Sequence, residues 1–116
     1  MERIISDVLR PLGATRNYMG YRQTVVAIRL TIEDETRLHR ITKDIYSVVA
    51  EECNCPVLTV ERNIRTLILK GWRTNKKYMC EMAGFPLEAP PSASQFIDFV
   101  AAYIQRNYLC DTISKD

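Results

Sequence analysis

Hydrophobic residues along this chain recur every three or four positions, which is the spacing of one buried face of an α-helix. The pattern predicts six helices, over residues 3–10, 18–32, 36–53, 57–73, 75–83 and from Ser92 to about residue 108. Ser92 and Gln95 form the Ser-x-x-Gln capping box that opens the last of them. No segment alternates apolar and polar residues as a half-buried strand does. The predicted fold class is therefore all-α with about six helices.

The helices predicted over 36–53 and 57–73 are joined only by Asn54-Cys55-Pro56. Two amphipathic helices with a tight turn between them are typical of a helix-turn-helix, whose second helix enters the DNA major groove. On a helical wheel, a core-facing stripe about 100° wide collects Val60, Ile64, Leu67, Ile68 and Gly71. The opposite side carries Thr59, Arg62, Arg65, Thr66 and Arg73, together with Leu58 and Leu69. This opposite side is the predicted DNA-reading face.

The formal net charge of +2 hides an uneven distribution. Residues 59–77 carry six basic side chains against Glu61 alone, a local charge of +5, and residues 1–32 carry five arginines against two acids, a local charge of +3. Residues 33–58 and 78–116 each sum to −3. Positive charge is thus concentrated on the second helix of the pair and its exit, where it favours a polyanionic partner such as DNA. A merely solvated charged face is the alternative that charge alone leaves open.

The positions of cysteine and histidine indicate neither a metal site nor a catalytic site. Cys53, Cys55, Cys80 and Cys110 contain no CxxC pair, and His39 lies outside any zinc-ligand spacing, so we expect free thiols and no metal. His39 has no serine or cysteine motif beside it, and the four glycines form no phosphate-binding loop. We therefore expect no enzyme activity, no catalytic residue and no cofactor.

The hydropathy of the chain argues against a membrane protein or a secreted protein. No apolar run approaches the roughly 20 residues that a membrane-spanning helix requires. The N-terminal residues alternate charges with isoleucines and do not form a signal peptide. We expect a cytoplasmic location and no membrane partner.

The two central helices also carry a family resemblance. The residues that carry it are Ile41-Thr42-Lys43, Ile45-Tyr46, Val49-Ala50 and Asn54, then Val60-Glu61-Arg62, Ile64-Arg65, Ile68 and Trp72. They resemble the DNA-binding effector domain of the sporulation initiation response regulators, the stage-zero sporulation protein A family. Flanking matches extend the likeness over nearly the whole chain, at Ile5-Ser6, Leu12-Gly13, Gly20-Tyr21, Ser94-Gln95-Phe96-Ile97 and Val100-Ala101.

The resemblance implies a domain that binds short direct repeats upstream of bacterial promoters, as a transcription regulator of the sporulation-initiation type. By this resemblance, the base contacts carry over to Thr59, Glu61, Arg62, Arg65 and Thr66. The cations that suit phosphate neutralisation are Lys70, Arg73, Lys76 and Lys77. The implied partners are double-stranded DNA, an RNA polymerase sigma factor and a second copy of the domain bound in tandem on the DNA.

The chain departs from the family pattern at three places. Thr59 stands where the family has a DNA-contacting arginine, and Pro56, expected at the first helical position, replaces a capping threonine. Residues 76–81 match the sigma-contacting region poorly. The Thr59 change, with Leu58 and Leu69, favours an alternative function: a protein-interaction module that retains the fold without specific DNA binding.

The length of the chain suits a single domain. At 116 residues it is long enough to bury roughly two thirds of its unfolded surface in one core. The family joins its effector domain to a receiver domain, and no receiver sequence is present in these residues. We expect one helix-turn-helix effector domain spanning residues 1–116.

Overall fold

The structure, a computed structural model, describes residues 1–109, and within them every regular element is helical. The α-helices of seven or more residues are α1 (Glu2–Leu9), α2 (Tyr21–Glu33), α3 (Ser47–Cys53), α4 (Val57–Thr74), α5 (Lys76–Ala83) and α6 (Ala93–Ile104). No strand occurs in this part of the chain. The predicted all-α fold is confirmed.

The prediction of a single α-helix over 36–53 is wrong. The chain there runs through a 3-10 helix at Glu35–Arg40 and a π-helical turn at Thr42–Tyr46 before α3 begins. The wide turn is closed at Ser47, whose backbone N–H and hydroxyl both donate to the Thr42 carbonyl five residues back. Because a spacing of three to four residues fits all these kinds of helix, the sequence pattern predicts that the segment is helical but not which helix it forms.

Two other predicted boundaries shift for local reasons. Helix α2 begins at Tyr21 and not at residue 18, because Gly20 has a φ of 89°, outside the helical range. Helix α6 ends at Ile104, and a π-helical turn at Gln105–Leu109 continues it. The predicted end near residue 108 lies within this turn.

Two helices begin at residues whose side chains cap them. The capping box predicted for α6 is confirmed: Ser92 Oγ accepts a hydrogen bond from the Gln95 N–H (3.1 Å), and Gln95 Oε1 accepts one from the Ser92 N–H (3.0 Å). At the start of α5, Asn75 Oδ1 accepts from the Tyr78 N–H (3.2 Å). Each cap satisfies a backbone donor that the helix itself leaves unpaired, a contribution of about 1 kcal/mol.

A single hydrophobic core joins the six helices, with α2 and α6 packed against each other. Its fully buried apolar side chains include Ile5, Leu9, Ile28, Ile45, Val49, Ile64, Leu67, Ile68, Met79, Met82, Phe96 and Ile97. Each contributes roughly 1.5–3 kcal/mol through its removal from water. The core therefore holds one face of α4 and leaves the other face to solvent.

Candidate nucleic-acid interface

The turn between α3 and α4 reverses the chain within three residues. Asn54 ends α3 in the left-handed conformation (φ 55°, ψ 54°), and its N–H donates to the carbonyls of Ala50 and Glu51. The Cys55 N–H also donates to the Ala50 carbonyl, at 2.9 Å. Pro56 extends the chain (ψ 151°) and precedes the first helical residue, so the prediction that it occupies the first helical position is wrong by one residue. The arrangement is helix, tight turn, helix, as the sequence predicts.

The core-facing side of α4 is the stripe that the sequence predicts, since Val60, Ile64, Leu67, Ile68 and Gly71 are all buried. Asn63 is buried beside them and lies against the start of α2. A Cβ added to Gly20 would come within 2.4 Å of the Asn63 carbonyl oxygen. This close approach fixes how deeply α4 sits against α2 and, with it, the direction in which the exposed side of α4 points.

Three of the five predicted base-contact residues, Arg62, Arg65 and Thr66, are exposed, whereas Thr59 and Glu61 are partly covered. The Arg62 guanidinium makes no hydrogen bond or ion pair within residues 1–109. Arg65 Nη2 lies 3.4 Å from Glu61 Oε1, but these side chains are 62% and 45% exposed, so the pair contributes at most about 1 kcal/mol. Thr66 Oγ1 donates to the Arg62 carbonyl (2.9 Å) and keeps its lone pairs for another partner. Little in the fold therefore holds these three side chains.

A buried tyrosine lies near the ion pair of Arg65 and Glu61. The pKa of Tyr46 is raised to about 12, chiefly because the buried phenolate form loses its solvation; the Glu61 carboxylate contributes to this rise and Arg65 opposes it. The Tyr46 hydroxyl makes no hydrogen bond to the described residues. Tyr46 is therefore a neutral packing residue under the flank of α4.

The four predicted phosphate contacts lie in the second half of α4 and the first turn of α5. Lys70 Nζ is 6.0 Å from the centre of the Tyr18 ring, and Lys76 Nζ is 4.9 Å from the centre of the partly buried Trp72 ring. Rings at these distances attract a cation weakly and orient it. The exposed members of the set are Arg73, Lys76 and Lys77.

The structure also brings the turn after α1 against the C-terminal half of α4, a contact that the sequence analysis missed. Asn75 Nδ2 donates to the Pro11 carbonyl (3.3 Å), and a Cβ on Gly13 would lie 3.2 Å from Lys70 Cε. The turn lines a polar cavity of about 560 Å³, formed by Ser6, Arg10, Ala14, Thr15, Arg16 and Asn17. The Asn75–Pro11 contact joins residues 64 positions apart, and no local sequence pattern indicates it.

Two negative findings concern the described residues only. No group of three or more His, Cys, Asp or Glu side chains in residues 1–109 is arranged to hold a metal ion. No helix in this range has both the length and the apolar content needed to cross a membrane.

Cys53, Cys55 and Cys80 are free thiols, and Cys110 lies outside the described residues. Burial raises the pKa of the Cys53 thiol.

Comparison with known protein families identifies the domain. Residues 5–104, which are 100 of the 116 residues, match the family described as "Sporulation initiation factor Spo0A C terminal". The match runs from within α1 to the last residue of α6 and contains the whole of α3, the turn and α4. It confirms the resemblance seen in the residues of these two helices. The chain belongs to this family, the non-enzymatic DNA-binding effector domain of a sporulation regulator.

Proposed function

We propose that the domain recognises a specific double-stranded DNA sequence by inserting α4 into the major groove. The observation that carries this proposal is Arg62, exposed opposite the core and without a partner in the described residues. A guanidinium has two parallel donors whose spacing matches O6 and N7 of guanine. An arginine that neither packs nor pairs contributes little to folding, so a ligand is the better reason for its position.

The neighbours of Arg62 supply the rest of the proposed base-reading set. Glu61 accepts a hydrogen bond from a cytosine amino group, and Arg65 reaches a base or a phosphate. Their mutual ion pair exchanges readily for these contacts, because exposed pairs contribute little in water. Thr59 and Thr66 add short polar contacts, and Thr66 acts as an acceptor because its hydroxyl hydrogen is engaged by a carbonyl of α4.

Phosphate contacts are proposed for Lys70, Arg73, Lys76 and Lys77. Lys76 and Lys77 occupy the first turn of α5, where the helix dipole disfavours a cation but attracts an anion. A phosphate bound there removes this conflict. On a helical wheel, Lys70 lies about 160° from Trp72, over whose ring Lys76 sits, so the cations occupy both flanks of α4. Both phosphate backbones of a major groove holding α4 are then within reach of a cation.

We also propose that the DNA sites are direct repeats near promoters, occupied by copies of the domain side by side, with an RNA polymerase sigma factor as a further partner. The family resemblance supports these assignments. Tyr103 packs edge-on against Tyr78, with ring centres 6.4 Å apart, whereas Tyr108 is 45% exposed and remains for contact between copies. The single core within residues 1–109 supports the assignment of the chain to one effector domain.

Exposed apolar side chains favour a second candidate function, a protein-interaction module without specific DNA binding. Leu58 is 77%, Phe85 57% and Leu69 40% exposed. Against it, Leu58 and Leu69 lie eleven residues or roughly 16 Å apart along α4, so the two leucines form no continuous apolar patch.

The test of the DNA-binding proposal compares two variants that each remove one positive charge, Arg62→Ala and Lys76→Ala. Both are titrated with a duplex that the wild-type protein has selected from a randomised pool and with a scrambled duplex of equal length. We expect Arg62→Ala to weaken binding to the selected duplex by about 5- to 150-fold and to spare binding to the scrambled one. We expect Lys76→Ala to weaken both alike, because a phosphate contact carries no sequence information.

Equal losses for Arg62→Ala on the two duplexes would make Arg62 a phosphate contact and overturn the proposed orientation of α4. A wild-type protein that enriches no sequence from the pool would favour the protein-interaction module. Thermal unfolding is the control for folding, because both side chains are exposed and both variants are expected to unfold near the wild-type temperature.

A further inference from the structure

We propose that Leu58 reads the C5-methyl group of a thymine next to the guanine bound by Arg62. Leu58 is the second residue of α4 and is 77% exposed, more than any other large hydrophobic side chain among the described residues. It precedes Arg62 by four residues, so both side chains project from the same side of the helix. The inference rests on the proposed insertion of α4 into the major groove and adds one base to the sequence that α4 reads.

The fold offers no reason for a leucine at this place. The core-facing stripe of α4 begins at Val60, on the other side of the helix from Leu58. An exposed leucine forgoes the stabilisation that burial of its side chain brings. A ligand that covers Leu58 recovers part of it, and the N-terminal residues of a recognition helix are those that contact base edges.

The surroundings of Leu58 favour a DNA base over a protein as this ligand. Arg62 and Arg65 follow it on the exposed side of α4, and the next exposed leucine, Leu69, lies eleven residues or roughly 16 Å further along the helix. The two leucines therefore form no continuous apolar patch of the kind that marks a protein-interaction site. A single apolar side chain among arginines matches thymine, whose methyl is the apolar group on the major-groove edge of the base pairs.

The test removes the methyl group from the DNA and the side chain from the protein, singly and together. In the duplex selected by the wild-type protein, each thymine is replaced in turn by deoxyuridine, which keeps every hydrogen-bonding group and lacks only the methyl. We expect one of these replacements to weaken wild-type binding roughly fourfold, the effect of burying about one methyl group. We expect Leu58→Ala to bind the thymine duplex at least fourfold more weakly than wild type and to be insensitive to that replacement.

Leu69→Ala is the matched control, because it removes the same side chain from the same helix at a position beyond reach of that base. We expect it to keep the fourfold response to the replaced thymine. Because Leu58 is exposed, we expect Leu58→Ala to unfold at the wild-type temperature, which separates weaker binding from loss of the fold.

Three outcomes would overturn the inference. A Leu58→Ala variant that keeps the full response to every replacement would show that Leu58 reads no methyl group, while DNA binding itself stands. A loss of affinity in Leu58→Ala that does not depend on any thymine methyl would assign Leu58 to positioning α4 or to contact between protein copies. A wild-type protein that selects no duplex would overturn the proposed function, and this inference with it.

Discussion

Single residues of α4 divide into those that support the fold and those that are available to a ligand. Ile64 and Leu67 are fully buried, and truncation of either to alanine is expected to cost about 2–5 kcal/mol of stability. Arg62, on the other side of the same helix, has no partner among residues 1–109, and the pair of Arg65 with Glu61 is exposed and weak. The residues proposed to read DNA can therefore change without loss of the fold, and binding specificity can change independently of stability.

The buried side chain of Tyr46 predicts how the stability of the domain depends on pH. Its folded pKa of about 12 lies above the unfolded value of about 10, so its contribution to stability is complete below pH 10 and is lost as the pH rises towards 12. We expect the free energy of unfolding to fall less steeply between pH 10 and pH 12 in Tyr46→Phe than in the wild type. Urea unfolding at several pH values in this range measures the difference.

The phenylalanine variant is a clean comparison, because the Tyr46 hydroxyl makes no hydrogen bond within the described residues and the ring is retained. Other tyrosines and the lysines titrate in the same range, but they do so in both proteins. Parallel curves for the two proteins would mean that burial does not hold Tyr46 in its neutral form.

At the scale of helices, α4 and α5 lie within about one residue of their predicted bounds, because residues with strong local preferences delimit them. Pro56 precedes α4, Asn75 caps α5, and Gly84 ends α5 with a φ of 87°. The late start of α2 and the 3-10 and π-helical turns before α3 were not predictable from the sequence. Tertiary contacts and the pattern of backbone hydrogen bonds determine them. One of these contacts is that of Gly20 with Asn63, residues far apart in the sequence.

The candidate interface was predictable to a similar extent. A helical wheel places Arg62, Arg65 and Thr66 away from the core, and they are exposed. The partial covering of Thr59 and Glu61 was not predictable, because a wheel contains no neighbouring helices. For the same reason the sequence gives no indication that the turn after α1 packs against α4.

The contact between the start of α2 and α4 gives a prediction with a built-in control. Gly20 and Gly84 have nearly equal φ values, 89° and 87°, but a Cβ at Gly84 meets nothing within 4 Å, whereas one at Gly20 would lie 2.4 Å from the Asn63 carbonyl oxygen. We expect Gly84→Ala to cost about 1–2 kcal/mol, for the left-handed backbone alone. Gly20→Ala should cost about 1–3 kcal/mol more, because the backbone of α4 must move.

Urea unfolding measures both costs, and titration with DNA measures the consequence for α4. We expect Gly20→Ala to bind the selected duplex more weakly at a temperature where it is still folded, while Gly84→Ala binds as the wild type does. Equal stability losses for the two variants would show that the close approach of Gly20 to Asn63 does not fix the position of α4.

At the scale of the whole molecule, the charges on α2 and α3 compensate one another and those on α4 do not. Arg29 donates to both carboxylate oxygens of Glu52, at 2.9 and 2.8 Å, and Arg22 donates to Glu2 at 2.9 Å. Two of the five arginines in residues 1–32 thus pair with acids on other helices, and one of these acids, Glu52, belongs to the acidic segment 33–58. The +5 of residues 59–77 remains, with Glu61 as its only acid. The exposed side of α4 and the start of α5 therefore carry an excess of positive charge, which attracts a polyanion.

This compensation predicts which cations determine the salt dependence of DNA binding. If Lys70, Arg73, Lys76 and Lys77 each neutralise one phosphate, the slope of log K against log salt concentration should be about −3.6, since each phosphate contributes roughly −0.9. Lys76→Ala should make the slope shallower by about one. Arg22→Ala is the matched control: its charge is already paired with Glu2, so we expect an unchanged slope. Equal effects of the two substitutions, or a flat response in the wild type, would contradict an interface centred on α4 and the start of α5.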